Sequence, residues 1–183
     1  LLGSVTTYYS LFKDEELSDL FKVRADFSDT MPRDVANEQS YAEFVSARSQ
    51  EEKLRAFDRA AVAKIIEHGA RIAEHQCKLS TRFGAIADLA READYWAGAN
   101  GHGVVTGEDV QQALDERTLR ANLAAEQSRE AILEGTVFIA TEGSVVGQVN
   151  GLGTYTIGEF TFGEPGRITA RTFMGDDGVI HIE

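Results

Sequence analysis

The fold of the central part of the chain is decided by the stretch STRFGAIADLAREADYWA, which runs from Ser80 to Ala97. Its apolar residues recur three or four positions apart, which is the spacing of one face of an α-helix. These residues are Phe83, Ile86, Leu89, Ala90, Ala93 and Trp96. A helix of this kind must bury its apolar face, so the stretch predicts one member of a small helical bundle.

Three more amphipathic helices are predicted around this central one. The first runs from about Arg33 to Arg48 and follows Pro32, a residue that suits the first turn of a helix. The next runs from about Asp58 to Gln76, and its first residue is a good N-cap. The last begins at Thr106, with Asp109 placed as in a capping box, and continues toward Leu133.

The composition changes near Glu134-Gly135. Ten of the 17 glycines lie between Gly135 and Gly178, and the last lysine is Lys78. Short alternating or apolar runs in this glycine-rich part predict strands at 137–140, 145–157, 167–173 and 179–182. The residue patterns at 1–3 and 21–27 also predict strands. The predicted fold class is therefore α+β, with a four-helix bundle between two strand-containing segments.

The charge, the apolar runs and the cysteine content argue against a nucleic-acid-binding, membrane-spanning or disulfide-stabilised protein. The net charge is −12, which disfavours nucleic acid or an anionic membrane as the main partner. No apolar run approaches the roughly 18 residues of a membrane helix. The single cysteine, Cys77, excludes an internal disulfide and favours a reducing, cytoplasmic location. Because the sequence does not begin with Met, we expect it to be part of a longer protein.

The familiar catalytic motifs are absent from the sequence. A Walker A phosphate loop needs a Gly-Lys pair, and there is none. The glycine-rich part contains no lysine, so it cannot complete a Ser-Lys dyad by itself. His68 and His75 are seven residues apart on one predicted helix, too far apart to hold one metal ion. From the residues alone we predict no metal site and no active site.

The segment from Gly143 to Glu183 resembles the start of the proteolytic domain of the Lon protease family. The matching runs are Gly147-Gln148-Val149-Asn150-Gly151-Leu152, then Phe162-Gly163-Glu164-Pro165-Gly166-Arg167-Ile168-Thr169-Ala170, then Gly175 and Ile182-Glu183. Leu20 to Phe27 looks like the last strand region of an AAA+ ATPase core in B-type, Lon-like proteins. Lys78-Leu79-Ser80, together with the run from Arg91 to Ala97, is similar to the helical lid of these proteins.

The resemblance implies three segments of one ATP-dependent protease. Residues 1–30 would be the end of the AAA+ α/β subdomain, residues 31–134 the helical lid, and residues 135–183 the first strands of the proteolytic domain. The phosphate loop and the magnesium-binding motif would precede Leu1, and the catalytic Ser-Lys dyad would follow Glu183. The whole protein would then use ATP and Mg²⁺, assemble into a ring and degrade unfolded or damaged proteins. This piece alone would lack ATPase and peptidase activity.

The same resemblance suggests three nucleotide-sensing residues. Arg82, at the start of the third helix, corresponds to the sensor arginine that touches the bound phosphates of its own subunit. Lys22, with Arg24 close by, corresponds to the residue that reaches the nucleotide of the neighbouring subunit. For each of these residues an ordinary solvent-exposed cation is the alternative interpretation.

Two other functions remain open at the level of sequence. One is a non-enzymatic helical module that binds a partner protein. The other is a DNA-binding helical domain, which the acidic charge disfavours.

Overall fold

The computed structural model describes residues 2–3, 23, 25–158 and 160–172. The chain forms two compact units, Leu1–Glu116 and Arg117–Glu183, which are described separately below. Helices and two-stranded sheets occur in the same chain, which confirms the predicted α+β class. The ranges 1–30, 31–134 and 135–183 rest on composition and resemblance, and they stay predictions.

Helices dominate the first unit. They are α1 (Val35–Glu52), α2 (Arg59–Ile72), α3 (Phe83–Ala99) and the N-terminal part of α4 (Gly107–Ala121). The side chain of Asp34 caps α1 by accepting a hydrogen bond from the amide of Asn37. Asp58 caps α2 as predicted, because its carboxylate accepts from the amide of Ala61 at 2.7 Å. Each cap satisfies an amide that has no partner within its own helix.

Two small sheets accompany these helices. Strand β1 (Leu2–Gly3) pairs in parallel with β2 (Ala25–Asp26). Strand β3 (Thr30–Pro32) pairs antiparallel with β4 (Lys78–Ser80), and Thr30 lies opposite Ser80. The second sheet brings the segment before α1 next to the segment before α3.

The β3–β4 pair corrects two sequence predictions. Pro32 is the last residue of a strand and does not lie in the first turn of α1, which begins after Asp34. Ser80 is also a strand residue, so α3 begins at Phe83 and not at Ser80. In both places a short strand finds its partner far away in sequence, and that pairing overrides the local helical pattern.

The core of the first unit lies where α1, α2, α3 and α4 pack together. Tyr41, Ile65, Leu79, Ile86 and Leu89 are completely buried. Alanine supplies much of the remaining contact surface, at Ala61, Ala70, Ala93, Ala97 and Ala113. Small side chains at these positions let the helix backbones approach one another closely. The apolar positions of the opening stretch therefore point where the helical spacing predicted: four of them are buried, and Phe83 and Trp96 pack against this core.

An ion pair joins α1 to α3 at the surface of the first unit. Arg91 donates to both carboxylate oxygens of Glu52, through Nε at 2.6 Å and Nη2 at 2.7 Å. The hydrogen bond from Arg91 holds the pKa of Glu52 below its usual range. Paired donors of this kind fix the geometry of two side chains, although an exposed pair contributes little stability.

The second unit contains the end of α4, helix α5 (Leu123–Leu133), and a hairpin of β5 (Gln148–Ile157) and β6 (Phe160–Thr169). The sequence predicted one helix from Thr106 to Leu133. The structure interrupts it at Asn122, which serves as the N-cap residue of α5 without a capping side chain. No glycine or proline marks this break in the sequence.

The strand predictions for this unit are partly wrong. The run 145–157 does contain β5, but β6 ends at Thr169, several residues before the end of the predicted strand 167–173. Residues 137–140 form no strand; instead Asn150 Nδ2 donates to the carbonyl of Ala140 at 2.6 Å. The predicted strand 179–182 lies outside the described residues.

Gly147 turns the chain into the hairpin. Its φ is +79°, and a Cβ at this position would lie 2.5 Å from the carbonyl oxygen of Ala170. The amide of Ala170 in turn donates to the carbonyl of Gly147 at 2.7 Å. Only glycine combines this dihedral with so close a contact.

None of the described helices is both long and apolar enough to cross a bilayer.

Candidate functional site

The candidate site lies at the N-terminus of α3, and its geometry begins with the end of strand β4. Thr81 continues β4 toward α3 and is held on two sides by the segment before β3. Its hydroxyl donates to the carbonyl of Ser28 at 2.6 Å, and its amide donates to the carbonyl of Asp29 at 2.9 Å. The amide of Arg82 donates to the hydroxyl of Ser80 at 3.1 Å. The backbone that carries Arg82 is therefore fixed by hydrogen bonds before the helix begins.

Arg82 occupies the N-cap position of α3. Its φ and ψ are −77° and 67°, and no side chain caps the helix. The Arg82 side chain is exposed, and no hydrogen bond or ion pair links its guanidinium to another described residue. A helix N-terminus carries a partial positive charge, so a cation at this position is slightly unfavourable. A bound anion would be favourable for both the guanidinium and the helix.

A buried tyrosine lies directly behind this site. Tyr41 of α1 is fully buried, and its hydroxyl donates to the carbonyl oxygen of Ser80. Its ring centroid lies 5.5 Å from that of Phe83, the first residue of α3. Burial raises the pKa of Tyr41 to about 12, so the hydroxyl keeps its proton and acts as a donor at neutral pH.

Gly69 of α2 makes room for Tyr41. A Cβ on Gly69 would lie 2.8 Å from Cε1 and 2.9 Å from the hydroxyl oxygen of that tyrosine. Gly69 is buried on the inner face of its helix, but no local pattern in the sequence connects it with Tyr41 or Ser80. The three residues meet only because α1, α2 and β4 pack together.

Lys22 and Arg24, the other predicted sensing residues, lie outside the described residues. Their roles stay predictions, and of the three only Arg82 has a described position.

A second polar cluster surrounds Asp109 near the start of α4. Its carboxylate is completely buried and accepts hydrogen bonds from Asn100 Nδ2, His102 Nδ1 and both the amide and hydroxyl of Thr106, all at 2.8 to 3.0 Å. The amide of Asp109 donates back to the Thr106 hydroxyl at 3.4 Å, which completes the reciprocal bonding of a capping box. The predicted pairing of Thr106 with Asp109 is therefore present, and Asn100 and His102 are additional partners.

The electrostatics of Asp109 follow from these contacts. Burial acts to raise the pKa of this carboxyl, but the hydrogen bonds from Thr106, Asn100 and His102 outweigh it and hold the pKa well below its usual range. The group is a buried, fully hydrogen-bonded anion, and it fixes the turn between α3 and α4. This arrangement fits a structural role.

Other candidate groups form no reactive arrangement. Cys77 is an exposed free thiol, and its amide donates to His75 Nδ1 at 3.1 Å. Within the described part of the chain, no three His, Cys, Asp or Glu side chains come together as a metal site. We therefore assign no magnesium ligand to these residues.

A groove of about 350 Å³ opens between the C-terminal half of α1 and the start of α2. Its lining includes Val45, Leu54, Phe57 and Val62, with Lys53 and Gln50 among its polar members. Ser46 and Ser49 also line it, and the Ser49 hydroxyl donates to the carbonyl of Val45 at 2.7 Å, so we assign no catalytic role to this groove.

Comparison with known proteins identifies the chain. Residues 56–120, which include α2, α3 and most of α4, match the family described as "Archaeal LonB, AAA+ ATPase LID domain". The Archaeal Lon protease of Archaeoglobus fulgidus is 35% identical over 127 residues, covering 68% of this chain and 20% of that protein. The Archaeal Lon protease of Pyrococcus abyssi is 34% identical over 124 residues, covering 67% of this chain and 12% of that protein.

A bacterial protein also aligns. A Lon protease homolog of Haemophilus influenzae is 25% identical over 152 residues, covering 82% of this chain and 25% of that protein. The chain thus spans a quarter or less of the length of each of these relatives. The matched lid family and the two archaeal relatives, both more than 30% identical, show that this chain belongs to the Lon protease family.

Proposed function

We propose that the chain is the nucleotide-responsive part of an ATP-dependent serine endopeptidase, with Arg82 contacting the phosphates of bound ATP. The observation that carries the proposal is the position of Arg82. Its exposed guanidinium stands at an uncapped helix N-terminus, on a backbone fixed by Ser80 and Thr81. Both the guanidinium and the partial positive charge at the start of the helix attract phosphate oxygens.

Arg82 would act by placing positive charge next to the phosphates. As charge develops on the γ-phosphoryl oxygens, a guanidinium already held in position stabilises it without rearranging. Because Arg82 is fixed to the helices of the first unit, loss of phosphate would release these helices together from the nucleotide. In this proposal the helical unit is the lid that converts hydrolysis into motion.

The remaining parts of the reaction belong to the whole protein. A Ser-Lys dyad beyond Glu183 would cleave the peptide bond, and ATP with Mg²⁺ would bind largely through residues before Leu1. A ring of subunits would thread unfolded or damaged proteins toward the proteolytic sites in the cytoplasm. The Lon family membership of the chain supports this proposal.

The proposal predicts that Arg82→Ala in the full-length protein slows ATP hydrolysis about tenfold or more, the cost of losing a hydrogen bond to a charged group. Its melting temperature should stay the same or rise slightly, because a cation is removed from a helix N-terminus. A steady-state ATPase assay and a thermal melt measure the two effects.

Arg59→Ala is the matched control for this experiment. Arg59 is also an exposed arginine at the start of a helix, but it belongs to α2, which Asp58 already caps. Its removal should leave ATP turnover unchanged. Normal turnover in Arg82→Ala, or equal losses in both variants, would overturn the proposed role of Arg82.

A non-enzymatic interaction module is the second candidate function. The apolar side chains of the β5–β6 hairpin favour it, since Val149, Tyr155 and Ile157 are each more than half exposed. Reading the coding sequence on both sides of the chain separates the two candidates. A phosphate loop upstream and a Ser-Lys dyad downstream support the protease, and their absence supports the interaction module.

A further inference from the structure

We infer that Tyr41 is a positioning residue for Arg82. It contacts the residues on either side of the Thr81-Arg82 segment, which are Ser80 and Phe83. This inference rests on the proposed contact between Arg82 and bound phosphate. It adds a residue of α1, far from Arg82 in sequence, to the machinery that senses the nucleotide.

The contacts of Tyr41 bracket the Arg82 backbone. On the strand side, its hydroxyl donates to the carbonyl of Ser80, whose own hydroxyl accepts from the amide of Arg82. On the helix side, its ring lies against Phe83 with 5.5 Å between the centroids. One phenol side chain of α1 therefore contacts both neighbours of the Thr81-Arg82 segment.

The surroundings leave that phenol little freedom. It is completely buried, and Gly69 approaches so closely that even a methyl group there would collide with the ring. Phe44, also on α1, packs against Phe83 as well, at 4.8 Å between the ring centroids. A buried ring in close contact on several sides keeps one conformation, so its hydroxyl holds the Ser80 carbonyl at a fixed place.

Positioning matters for phosphate recognition because charge stabilisation depends on distance. A guanidinium displaced by about 1 Å from its best position loses hydrogen-bond geometry to the phosphate oxygens. Removing the Tyr41 hydroxyl leaves the ring in the core and the β3–β4 pairing in place, but it breaks the hydrogen bond that ties the Ser80 carbonyl to α1. The expected result is weaker nucleotide binding with the fold retained.

The test is a double-mutant cycle in the full-length protein, read as the dissociation constant of a fluorescent, non-hydrolysable ATP analogue. The variants are Tyr41→Phe, Arg82→Ala and the two combined. Tyr41→Phe should weaken binding about 3- to 10-fold, the range expected when one buried hydrogen bond is lost. In the Arg82→Ala background the same change should have little further effect, because the residue through which it acts is missing.

Two further variants complete the design. Tyr95→Phe is the control, because Tyr95 is a tyrosine of α3 that is 67% exposed, and its variant should bind nucleotide normally. Ser80→Ala removes the hydroxyl that accepts from the Arg82 amide. It should weaken binding in the same way as Tyr41→Phe, and it gives the same test if the tyrosine variant folds poorly.

The outcomes distinguish the inference from the proposal on which it rests. If Arg82→Ala weakens binding but Tyr41→Phe and Ser80→Ala do not, the positioning role is wrong and the role of Arg82 stands. If Tyr41→Phe weakens binding equally with and without Arg82, it acts on the general fold, and the inference is again wrong. If Arg82→Ala itself binds nucleotide normally, the proposed function is overturned first.

Discussion

At the scale of single residues, Asp109 is a negative charge with no exposed surface. Four donors from three residues surround its carboxylate. Their hydrogen bonds replace those that the carboxylate would make to water in the unfolded chain. A buried charge of this kind is stable only while its partners remain in place. The turn between α3 and α4 is therefore one of the points where a single substitution should affect the whole first unit.

We predict that Asp109→Asn destabilises the folded protein by about 2–4 kcal/mol, because an amide cannot accept all of these hydrogen bonds and leaves donors unpaired. Thermal or urea unfolding followed by circular dichroism measures the loss. Asp115→Asn is the control, since Asp115 lies on the same helix but is exposed and accepts a hydrogen bond from Gln111. A change below about 0.5 kcal/mol is expected there. Equal stability of the two variants would contradict the structural role of Asp109.

Asp109 also predicts how stability depends on pH. The pKa of its carboxyl in the folded state lies below the ordinary value of about 4. The native state therefore binds fewer protons than the unfolded chain, and the stabilisation is present above about pH 4 and is lost as the pH falls through the folded value. Between pH 7 and pH 3, the free energy of unfolding should fall more steeply with decreasing pH in the natural protein than in Asp109→Asn. Identical pH profiles would contradict this assignment.

At the scale of elements, the sequence predicted the helices better than the strands. The helical positions of Ile65, Ile86 and Leu89 follow from their spacing, and the caps at Asp58 and Thr106 follow from local hydrogen-bonding rules. The strand β4 was missed because its partner β3 lies almost fifty residues earlier in the sequence. Likewise, Arg82 could be proposed as a site from its place in the sequence, but Tyr41 could not, because their connection through Ser80 exists only after folding.

The hairpin of the second unit gives a prediction at the same scale. Gly147→Ala should destabilise β5 and β6 by about 1–3 kcal/mol or more, because alanine combines an unfavourable positive φ with a collision at the Ala170 carbonyl. Hydrogen exchange of the amides from 148 to 157 measures the effect.

Gly143→Ala is the matched control for the hairpin. Gly143 has nearly the same φ, +78°, but a Cβ there meets nothing within 4 Å. The Gly143→Ala variant should lose only the free energy that alanine costs at a positive φ, about 1 kcal/mol. Exchange that is accelerated equally in both variants would mean that the close approach to Ala170 contributes nothing.

At the scale of the whole molecule, the isolated 183-residue chain should neither hydrolyse ATP nor cleave casein. It has no Gly-Lys pair to form a phosphate loop, and no lysine after Lys78 to complete a Ser-Lys dyad in the glycine-rich part. Assays of phosphate release and casein degradation on the purified chain measure both activities. Casein cleavage that a serine-directed inhibitor abolishes would contradict the prediction.

The alanine-rich contacts between the helices also affect how the first unit responds to temperature. Ala61, Ala70, Ala93, Ala97 and Ala113 are all buried, yet each covers far less apolar surface than leucine or isoleucine would. Newly exposed apolar surface is the main source of the heat-capacity increase on unfolding. A core with so much alanine should therefore have a small heat-capacity change per residue, and the curve of its stability against temperature should be broad and flat.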